Sequence, residues 1–360
     1  KSEFTKRFNY LDGLVHKIER AGSEYLKLEG TKIVNTLKGL KTYEDEDFRI
    51  RVTRQGELLE EIETTGKTAK WGKYLRAPEV YFEILNKCKD KLVPLKEVAE
   101  IRFGIKTGIN EFFYLTEEKI KHWKIEKEFL APIVTSPKEV DSILIDPKNL
   151  EYKVLMCHKS KKELLKERKL GVLEYIKWGE TQRTKERGRY KKGGVPFPEV
   201  ASVQGRTYWY DIGDREPGDL VINRFIRERF FFPVKRSKVF LGDVVFEGKT
   251  RDKNTARLYS AVLNSSIVFL FVELEGRFSM GDGLLTFYGP DIEELLLPSY
   301  RSINAEERKK IFDAADKLLT RPIKPIFEEV KEKDRQRLDS LVLKAIGLDP
   351  KKYLKPIYDG

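Results

Sequence analysis

The sequence contains few sulfur residues, with two cysteines and two methionines among 360 residues. Cys88 and Cys157 are too few for a four-cysteine metal cluster, and such a low cysteine content predicts an intracellular, cytoplasmic chain with buried thiols. No apolar run approaches the roughly 18 residues that would span a bilayer, and the most apolar stretch is residues 267–274. We therefore expect neither a signal peptide nor a membrane partner.

Motifs of the common enzyme classes are also missing. His16, His122 and His158 are scattered, without the spacing of a metal site or a catalytic triad. The only G-x-G, at residues 281–283, is not followed by the helix start that a dinucleotide-binding loop requires. No two prolines are adjacent, which excludes the Pro-Pro-aromatic loop that holds a flipped base during exocyclic-amine methylation. We therefore assign no catalytic residue, no metal site and no cofactor to this chain.

The sequence does contain a normal supply of core-forming residues. Hydrophobic residues make up 40% and aromatic residues 11%, which predicts globular units rather than a disordered chain. Charged residues reach 36%, and this value combined with little cysteine or methionine is typical of a thermophile protein. Because the chain begins at Lys1 rather than methionine, we expect it to be a piece of a longer polypeptide.

Positive charge is concentrated in two short windows within a chain of net charge +12. Residues 177–192 hold seven basic and two acidic residues, and residues 224–238 hold six and one, so each window carries +5. A focused basic patch is the electrostatic signature of a protein that binds a polyanion such as nucleic acid. A lysine-rich face that only meets solvent gives the same pattern, so the windows alone leave both interpretations open.

Residues 93–116 form the segment around which we expect the fold to be organised. Apolar residues alternate from Ile101 to Ile105, which predicts a half-buried strand. Gly108 permits a positive φ, and residues 112–115 predict a second apolar strand. The segment is therefore expected to be a hairpin with an exposed tip. A turn without any ligand is the simpler alternative.

The hairpin tip and four other segments carry side chains suited to DNA. Residues 204–210 are predicted as one strand bearing an amide, a guanidinium and three rings, which can read or stack on bases. Residues 180–195 predict a polar loop that orders on binding, and residues 224–236 alternate arginines with apolar residues. A further loop follows Arg277. The candidate DNA contacts are Lys106, Thr107, Asn110, Gln182, Arg183, Lys185, Arg187, Arg189, Lys191, Gln204, Arg206, Tyr208, Trp209, Arg224, Arg227, Arg229, Lys235, Arg236, Arg277 and Ser279.

The periodicity along the chain predicts an α+β fold in three parts. Residues 1–92 are expected to be the end of a preceding domain and a linker, with a strand at residues 48–59 and a helix at residues 79–92. Residues 93–302 are expected to form a strand-rich domain. Residues 303–360 are expected to be helical and to pack on that domain, because their apolar residues recur at helical spacing.

Three helix signals can be placed more closely. Ser160 and Glu163 have the spacing of a capping box, which predicts a helix over residues 160–173. Residues 259–274 predict another helix, with a buried strand over residues 267–272 as the alternative. Gly347 is placed to end the second helix of the C-terminal segment.

Several short motifs, taken in order, resemble one known family. The chain is similar to the target-recognition region of adenine-N6 DNA methyltransferases of restriction–modification systems, including the fused type IIG enzymes. The segments that carry the resemblance are residues 71–76, 93–116 with their Gly-Ile-Lys-Thr-Gly-Ile-Asn core, 179–180, 206–210, 261–266, 281–283 and 337–348.

The resemblance implies that two parts of one polypeptide have different functions. The C-terminal region would grip double-stranded DNA and read the site, while an N-terminal methyltransferase domain, absent from this chain and in contact with it, would bind S-adenosylmethionine and methylate a flipped adenine. A metal-dependent nuclease using Asp219, Asp243 and Glu247 is one alternative. A scaffold whose helical tail serves protein assembly is another.

Overall fold

The computed structural model describes residues 43–44, 49–50, 53, 55–65, 72–185, 193–235, 237–278 and 284–359. The chain divides into a smaller unit, Lys1–Lys89 with Asp359–Gly360, and a larger unit, Asp90–Tyr358. The larger unit contains nearly all of the two ranges that we predicted as a strand-rich domain and a helical C-terminal segment.

The described part of the smaller unit contains two short strands and three helices. These are β1 (Tyr43–Glu44), β2 (Arg49–Ile50), α1 (Gln55–Thr65), α2 (Gly72–Arg76) and α3 (Glu79–Cys88). The helix predicted from residue 79 is confirmed as far as Cys88. The strand predicted over residues 48–59 is wrong from Gln55 onward, because the Leu- and Glu-rich residues there are strong helix formers and form α1.

The larger unit mixes short strands with helices. Its strands are β3 (Leu92–Pro94), β4 (Ala99–Phe103), β5 (Tyr114–Leu115), β6 (Leu130–Val134), β7 (Leu144–Ile145), β8 (Tyr152–Leu155), β9 (Leu220–Asn223), β10 (Phe225–Ile226), β11 (Val234–Lys235), β12 (Phe240–Leu241), β13 (Val245–Thr250), β14 (Arg277–Phe278), β15 (Leu285–Thr286) and β16 (Leu296–Pro298). Its helices are α4 (Asn110–Phe113), α5 (Glu117–Trp123), α6 (Lys161–Lys166), α7 (Leu170–Glu180), α8 (Lys253–Val262), α9 (Ser266–Glu275), α10 (Gly289–Glu293), α11 (Ala305–Leu318), α12 (Ile326–Glu329), α13 (Lys333–Ala345) and α14 (Pro350–Asp359).

The described strands of the larger unit form several small sheets rather than one large one. The largest has the order β12-β6-β8-β5, and two three-stranded sheets have the orders β4-β13-β9 and β10-β15-β14. Strand β13 is central in its sheet and pairs antiparallel with both neighbours. Helices and small sheets thus share the unit, and the predicted α+β class is confirmed.

The hairpin predicted at residues 93–116 does not form. Strand β4 pairs with β13, whereas β5 pairs with β8, so the two strands lie in different sheets. Residues 110–113 form helix α4 instead of a strand, and both phenylalanines of that helix are fully buried. Alternation along one segment cannot reveal which strands pair, because pairing depends on distant residues. Gly108 does adopt the predicted positive φ, at 78°.

A large aromatic cluster packs α4 against α7. The Phe112 ring stacks on Tyr175 with the ring centroids 4.8 Å apart, and it lies 4.5 Å from the centroid of Trp209. The Tyr175 hydroxyl donates to the Phe112 carbonyl oxygen at 2.7 Å. A Cβ at Gly179 would lie 2.6 Å from Phe112, so the helices can approach this closely only with glycine there. This cluster fixes the position of the segment that begins at residue 105.

The predicted helices form, but their lengths differ from those that we predicted. The capping box of Ser160 and Glu163 is formed, but α6 ends at Lys166 and α7 starts after Arg168, which has a φ of 58°. Residues 259–274 belong to two helices, α8 and α9, and the strand alternative is wrong. Gly347 has a φ of 82° just after α13, as predicted for a helix terminus.

No single helix in the described ranges is long and apolar enough to cross a membrane. Helices α8 and α9 meet the criteria of length and composition only as a pair, and they are bent by 79°.

A buried ion network fastens the C-terminal helices to the rest of the larger unit. Arg335 on α13 and Glu329 on α12 have fully buried side chains and form a salt bridge of 3.0 Å. Arg321 donates two hydrogen bonds to the same carboxylate at 2.9 and 2.6 Å. Nearby, Asp339 accepts hydrogen bonds from Ser266 at the start of α9. The network therefore connects helices α9, α12 and α13 with the loop that contains Arg321.

The network predicts a specific dependence of stability on pH. Burial alone would raise the pKa of Glu329, but the hydrogen bonds from Arg321 and the charge of Arg335 outweigh it and hold that pKa below the ordinary 4.5. A depressed carboxyl pKa stabilises the folded state above pH 4.5, and this contribution is lost as the pH falls through the folded-state value. The destabilisation caused by Glu329→Gln should thus be largest at neutral pH and shrink in acid. Urea unfolding of the parent and of Glu329→Gln between acid and neutral pH tests this prediction. Profiles of unfolding free energy against pH that run parallel for the two proteins would contradict it.

Candidate nucleic-acid interface

The segment from Gly104 to Asn110 crosses from one sheet to the next and is held tightly on both sides. The Ile105 amide donates to Leu241 O at 2.6 Å, and a Cβ at Gly104 would lie 2.1 Å from Gly242 O. Thr107 is 1% exposed, and its hydroxyl donates to the Asn110 side chain. Thr107 is therefore a structural residue in this conformation, not the free hydroxyl that we expected at a tip.

Arg206 holds this segment in place from the neighbouring turn. Its Nη2 atom donates to the carbonyl oxygens of Lys106 and Thr107 at 3.2 and 2.8 Å, and its guanidinium lies 5.4 Å from the Phe113 ring centroid. Burial lowers the pKa of Arg206 from its ordinary value, with Asp211 opposing the shift. We expected Arg206 to read a base edge; in this conformation its Nη2 atom is engaged with two backbone carbonyls and helps to position Lys106.

Lys106 itself points over an exposed ring. Its Nζ atom lies 4.4 Å from the centroid of Phe103, which is 37% exposed at the end of β4. The Phe103 ring packs against the buried Phe246 of β13 at a centroid distance of 4.5 Å. An exposed ring beside a lysine can pack on a sugar or a base while the ammonium contacts a phosphate.

A second ring with cationic neighbours lies next to this pair. Tyr288 is 42% exposed, and the guanidinium carbons of Arg277 and Arg224 lie 5.1 and 5.9 Å from its ring centroid. Arg277 is oriented by a bidentate salt bridge to the buried Asp291, at 3.1 and 3.0 Å. In the described part of the chain, the Nε atom of Arg224 is buried without a hydrogen-bond partner.

Both groups lie near Phe246, on the side of the β4-β13-β9 sheet that carries the Phe246 ring. Helix α10, which begins at Gly289, packs against β4, and a Cβ at Gly289 would lie 3.9 Å from Phe246. Phe246 therefore packs against Phe103 and lies close to the backbone at Gly289, the residue after Tyr288. We call the resulting surface the basic–aromatic face. Its members are Phe103, Lys106, Arg224, Arg277 and Tyr288.

The base of the predicted basic loop lies close to the same segment. The Lys185 backbone amide donates to the Glu111 carboxylate at 3.3 Å, one residue beyond Asn110. Arg183 closes the loop by donating to the carbonyl oxygens of Gly193 and Gly194 at 2.7 and 3.0 Å. Its guanidinium is thus engaged with the backbone, whereas Lys185 is exposed.

The other residues predicted to contact DNA include one more from this loop and several whose structure is not described. Gln182 donates from its side chain to Thr181 at 2.9 Å. Five of the predicted contacts lie outside the described residues, and for these the prediction stands as made. They are Arg187, Arg189, Lys191, Arg236 and Ser279.

Residues 204–210 form turns rather than the predicted strand. Trp209 packs on Phe112 in the aromatic cluster, and Tyr208 stacks on Tyr210 at a centroid distance of 5.4 Å. Gln204 is exposed and donates to Glu199 O at 3.2 Å. The rings of this segment are used mainly for packing, because three aromatic residues in a row are more easily buried than displayed.

Residues 224–236 also fail to form the single strand that we predicted. Strand β10 ends at Ile226, and β11 begins only at Val234 and pairs with β7 of another sheet. Arg227 is exposed, while Arg229 donates to Val140 O at 3.5 Å. The basic window is therefore divided between different surfaces of the unit.

The carboxylates of the nuclease alternative are not assembled into a metal site. Glu247 is 2% exposed and accepts from Arg102 and Arg215. Asp219 accepts two hydrogen bonds from Thr250, each at 2.9 Å. Among the described residues, no group of three or more histidine, cysteine, aspartate or glutamate side chains could hold a metal ion.

A comparison with known protein families shows to which family this chain belongs. The family model for the C-terminal domain of the type II methyltransferase M.Eco57I matches residues 68–337. This chain belongs to that family. The match includes every member of the basic–aromatic face, so the M.Eco57I C-terminal domain is the unit that presents it, and the resemblance predicted from the motifs is confirmed.

Two known proteins that resemble parts of this chain are much longer than it. The type II methyltransferase M.AccI of Acinetobacter calcoaceticus is 25% identical over 160 residues, which are 43% of this chain and 26% of M.AccI. The type IIG restriction endonuclease BpuSI has the same fold over 84% of this chain and 34% of its own, with a TM-score of 0.56 and 13% identity. The chain thus covers about a quarter to a third of the length of these relatives.

Sequence patterns missed two central members of the face. Phe103 was read as one apolar position of an alternating strand, and Tyr288 was not singled out. The sequence neighbours of these two residues could have drawn attention to them. Phe103 lies between the basic residues Arg102 and Lys106, and Tyr288 is the N-cap of a helix that begins Gly-Pro. Neither signal indicates that the two rings converge, because they are more than 180 residues apart.

Proposed function

We propose that this chain is the target-recognition part of a site-specific adenine-N6 DNA methyltransferase of a restriction–modification system. The observation that carries the proposal is the basic–aromatic face, which combines two exposed rings with three cationic side chains on one surface. Phosphates of a DNA duplex would bind Lys106 and Arg277, and the rings would pack on sugars or bases. Membership of the M.Eco57I C-terminal domain family supports the assignment to a restriction–modification methyltransferase.

The chemistry would reside in another part of the parent polypeptide. The Pro-Pro-aromatic loop expected for amine methylation is absent from this sequence, so we propose that a methyltransferase domain binds S-adenosylmethionine and carries out the transfer. The present chain would hold the duplex and orient the target base toward that domain. Electrostatic binding would come from the face and from the neighbouring Lys185.

The test is the salt dependence of duplex binding. We expect log affinity for a fluorescent duplex of random sequence to fall linearly with log salt, because bound phosphates release counterions. Lys106→Gln should reduce the slope by about one unit. Lys309→Gln, which removes an exposed charge from α11, is the matched control and should bind like the parent. Fluorescence anisotropy at several salt concentrations gives both values. Binding that does not depend on salt would overturn the proposal.

A further inference from the structure

A deep cleft opens between the sheet of β13 and helices α8 and α11. Its volume is about 770 Å³, within the range of small-molecule sites. Small residues of the two helices, Ala256, Ala261 and Ala315, line part of its wall, and Phe312 forms another part. The cleft is therefore large enough for a nucleotide-sized molecule.

The cleft lies on the opposite side of the sheet from the basic–aromatic face. Phe246 of β13 faces Phe103, whereas the alternate residues Glu247 and Lys249 point to the other side of the strand. Lys249 lines the cleft. A ligand here would therefore be separated from the proposed DNA contacts by the thickness of the sheet.

The charges that line the cleft do not balance. Three cations are paired with carboxylates: Lys238 with Glu216 at 3.0 Å, Lys249 with Asp219 at 3.9 Å, and Arg257 with Asp316 at 3.4 Å. Lys235 and Lys253 also line the cleft, and among the described residues neither forms an ion pair. Two positive charges are left without a counter-charge.

Lys235 is the more informative of these two lysines. Its side chain is partly buried, and within the described part of the chain its Nζ atom donates only to Val239 O, at 3.1 Å. Burial lowers the pKa of Lys235 to about 8, against the opposing charges of Glu247 and Asp219 and with the help of Lys249 and Arg102. An ammonium that is desolvated without a carboxylate partner is costly. An anion bound in the cleft would remove that cost.

We propose that this cleft binds a phosphorylated small molecule, with the phosphate between Lys235 and Lys253. A phosphate carries up to two negative charges near neutral pH, which matches the two unpaired lysines. It also accepts several hydrogen bonds from ammonium groups. The remaining volume, next to Phe312 and the alanines, would hold the organic part of the molecule. Lys235, which we first assigned to DNA, thus belongs to a different site.

The test compares three probes by isothermal titration calorimetry of the full chain. Adenosine monophosphate should bind, inorganic phosphate should bind more weakly, and adenosine, which lacks the phosphate, should give no signal. Lys235→Gln should weaken the binding of adenosine monophosphate about tenfold or more, because a charge-assisted hydrogen bond is lost, whereas Lys235→Arg should retain most of it. Thermal unfolding of Lys235→Gln should be unchanged or shifted upward, since the variant removes an unpaired buried charge.

The outcomes separate this proposal from that of DNA binding. The affinity of Lys235→Gln for duplex DNA and the salt slope should equal those of the parent, and Lys106→Gln should bind adenosine monophosphate normally. Equal binding of adenosine and adenosine monophosphate, or no binding of either phosphate probe, would overturn the phosphate site. A loss of duplex affinity in Lys235→Gln without any nucleotide binding would overturn it too, because the lysines would then serve the DNA backbone.

Discussion

Replacing Arg335 with methionine is expected to lower the free energy of unfolding by about 3 kcal/mol, the lower end of the usual cost of breaking a buried ion pair, because Glu329 keeps Arg321 as a partner. The Arg335 side chain is fully buried and donates to Glu329 at 3.1 and 3.0 Å, as well as to the Asn264 carbonyl oxygen. Methionine fills a similar volume, so the loss would come from the charge and the hydrogen bonds. Urea unfolding followed by circular dichroism measures it.

The same helix offers a matched control. Arg337 is exposed two residues further along α13, so Arg337→Met makes the same chemical change where water can replace the lost contacts. We expect it to alter the free energy of unfolding by less than about 0.5 kcal/mol. The double variant Arg335→Met/Glu329→Met should be less destabilised than the sum of the two single variants, since both partners of the Arg335–Glu329 pair are then removed together. Strict additivity, or a similar loss in Arg337→Met, would refute the role of the network.

The second large effect is expected for duplex binding by Lys106→Gln/Arg277→Gln. If each side chain holds a phosphate, each loss should cost about 1.5–3 kcal/mol, so the double variant should bind DNA about a hundredfold more weakly or worse. The salt slope should fall by about two units. Fluorescence anisotropy with the same duplex at several salt concentrations measures the affinity and the slope.

Arg277 requires a control for folding because it pairs with the buried Asp291. Arg277→Lys keeps the charge but loses the bidentate geometry, so it should retain most of the salt slope while showing a similar change in stability to Arg277→Gln. Circular dichroism of all variants checks that the unit is folded. If Lys106→Gln/Arg277→Gln is folded and keeps the slope of the parent, the basic–aromatic face is not the DNA-binding surface.

Predictions from sequence succeeded where the signal was local. The capping box of Ser160 and Glu163, the positive φ of Gly108 and the helix end at Gly347 all depend on residues within a few positions of one another. The short motifs that identified the family are local too. The buried thiols of Cys88 and Cys157 followed from composition, and both cysteines are free and buried.

Predictions failed where distant parts of the chain meet. Strand β4 was expected to pair with residues 112–115, but its partner β13 lies about 140 residues further along the chain. The partners of the Arg206 Nη2 atom could not be predicted either, because the carbonyl oxygens of Lys106 and Thr107 lie about 100 residues earlier in the chain. Residue type shows what a side chain can bind, but not which of the possible partners the fold places next to it.

The amino-acid sequence by itself determined the α+β class, the caps of individual helices and the family, because each depends on residues close together in the chain or on composition. Only the tertiary structure decided that Phe103 and Tyr288 lie on one side of the sheet, that Thr107 is buried and Trp209 partly buried, and that Lys235 lies in a cleft on the other side of the sheet. The physical reason is that strand pairing and side-chain burial are set by contacts between residues far apart in the chain, which no local pattern encodes.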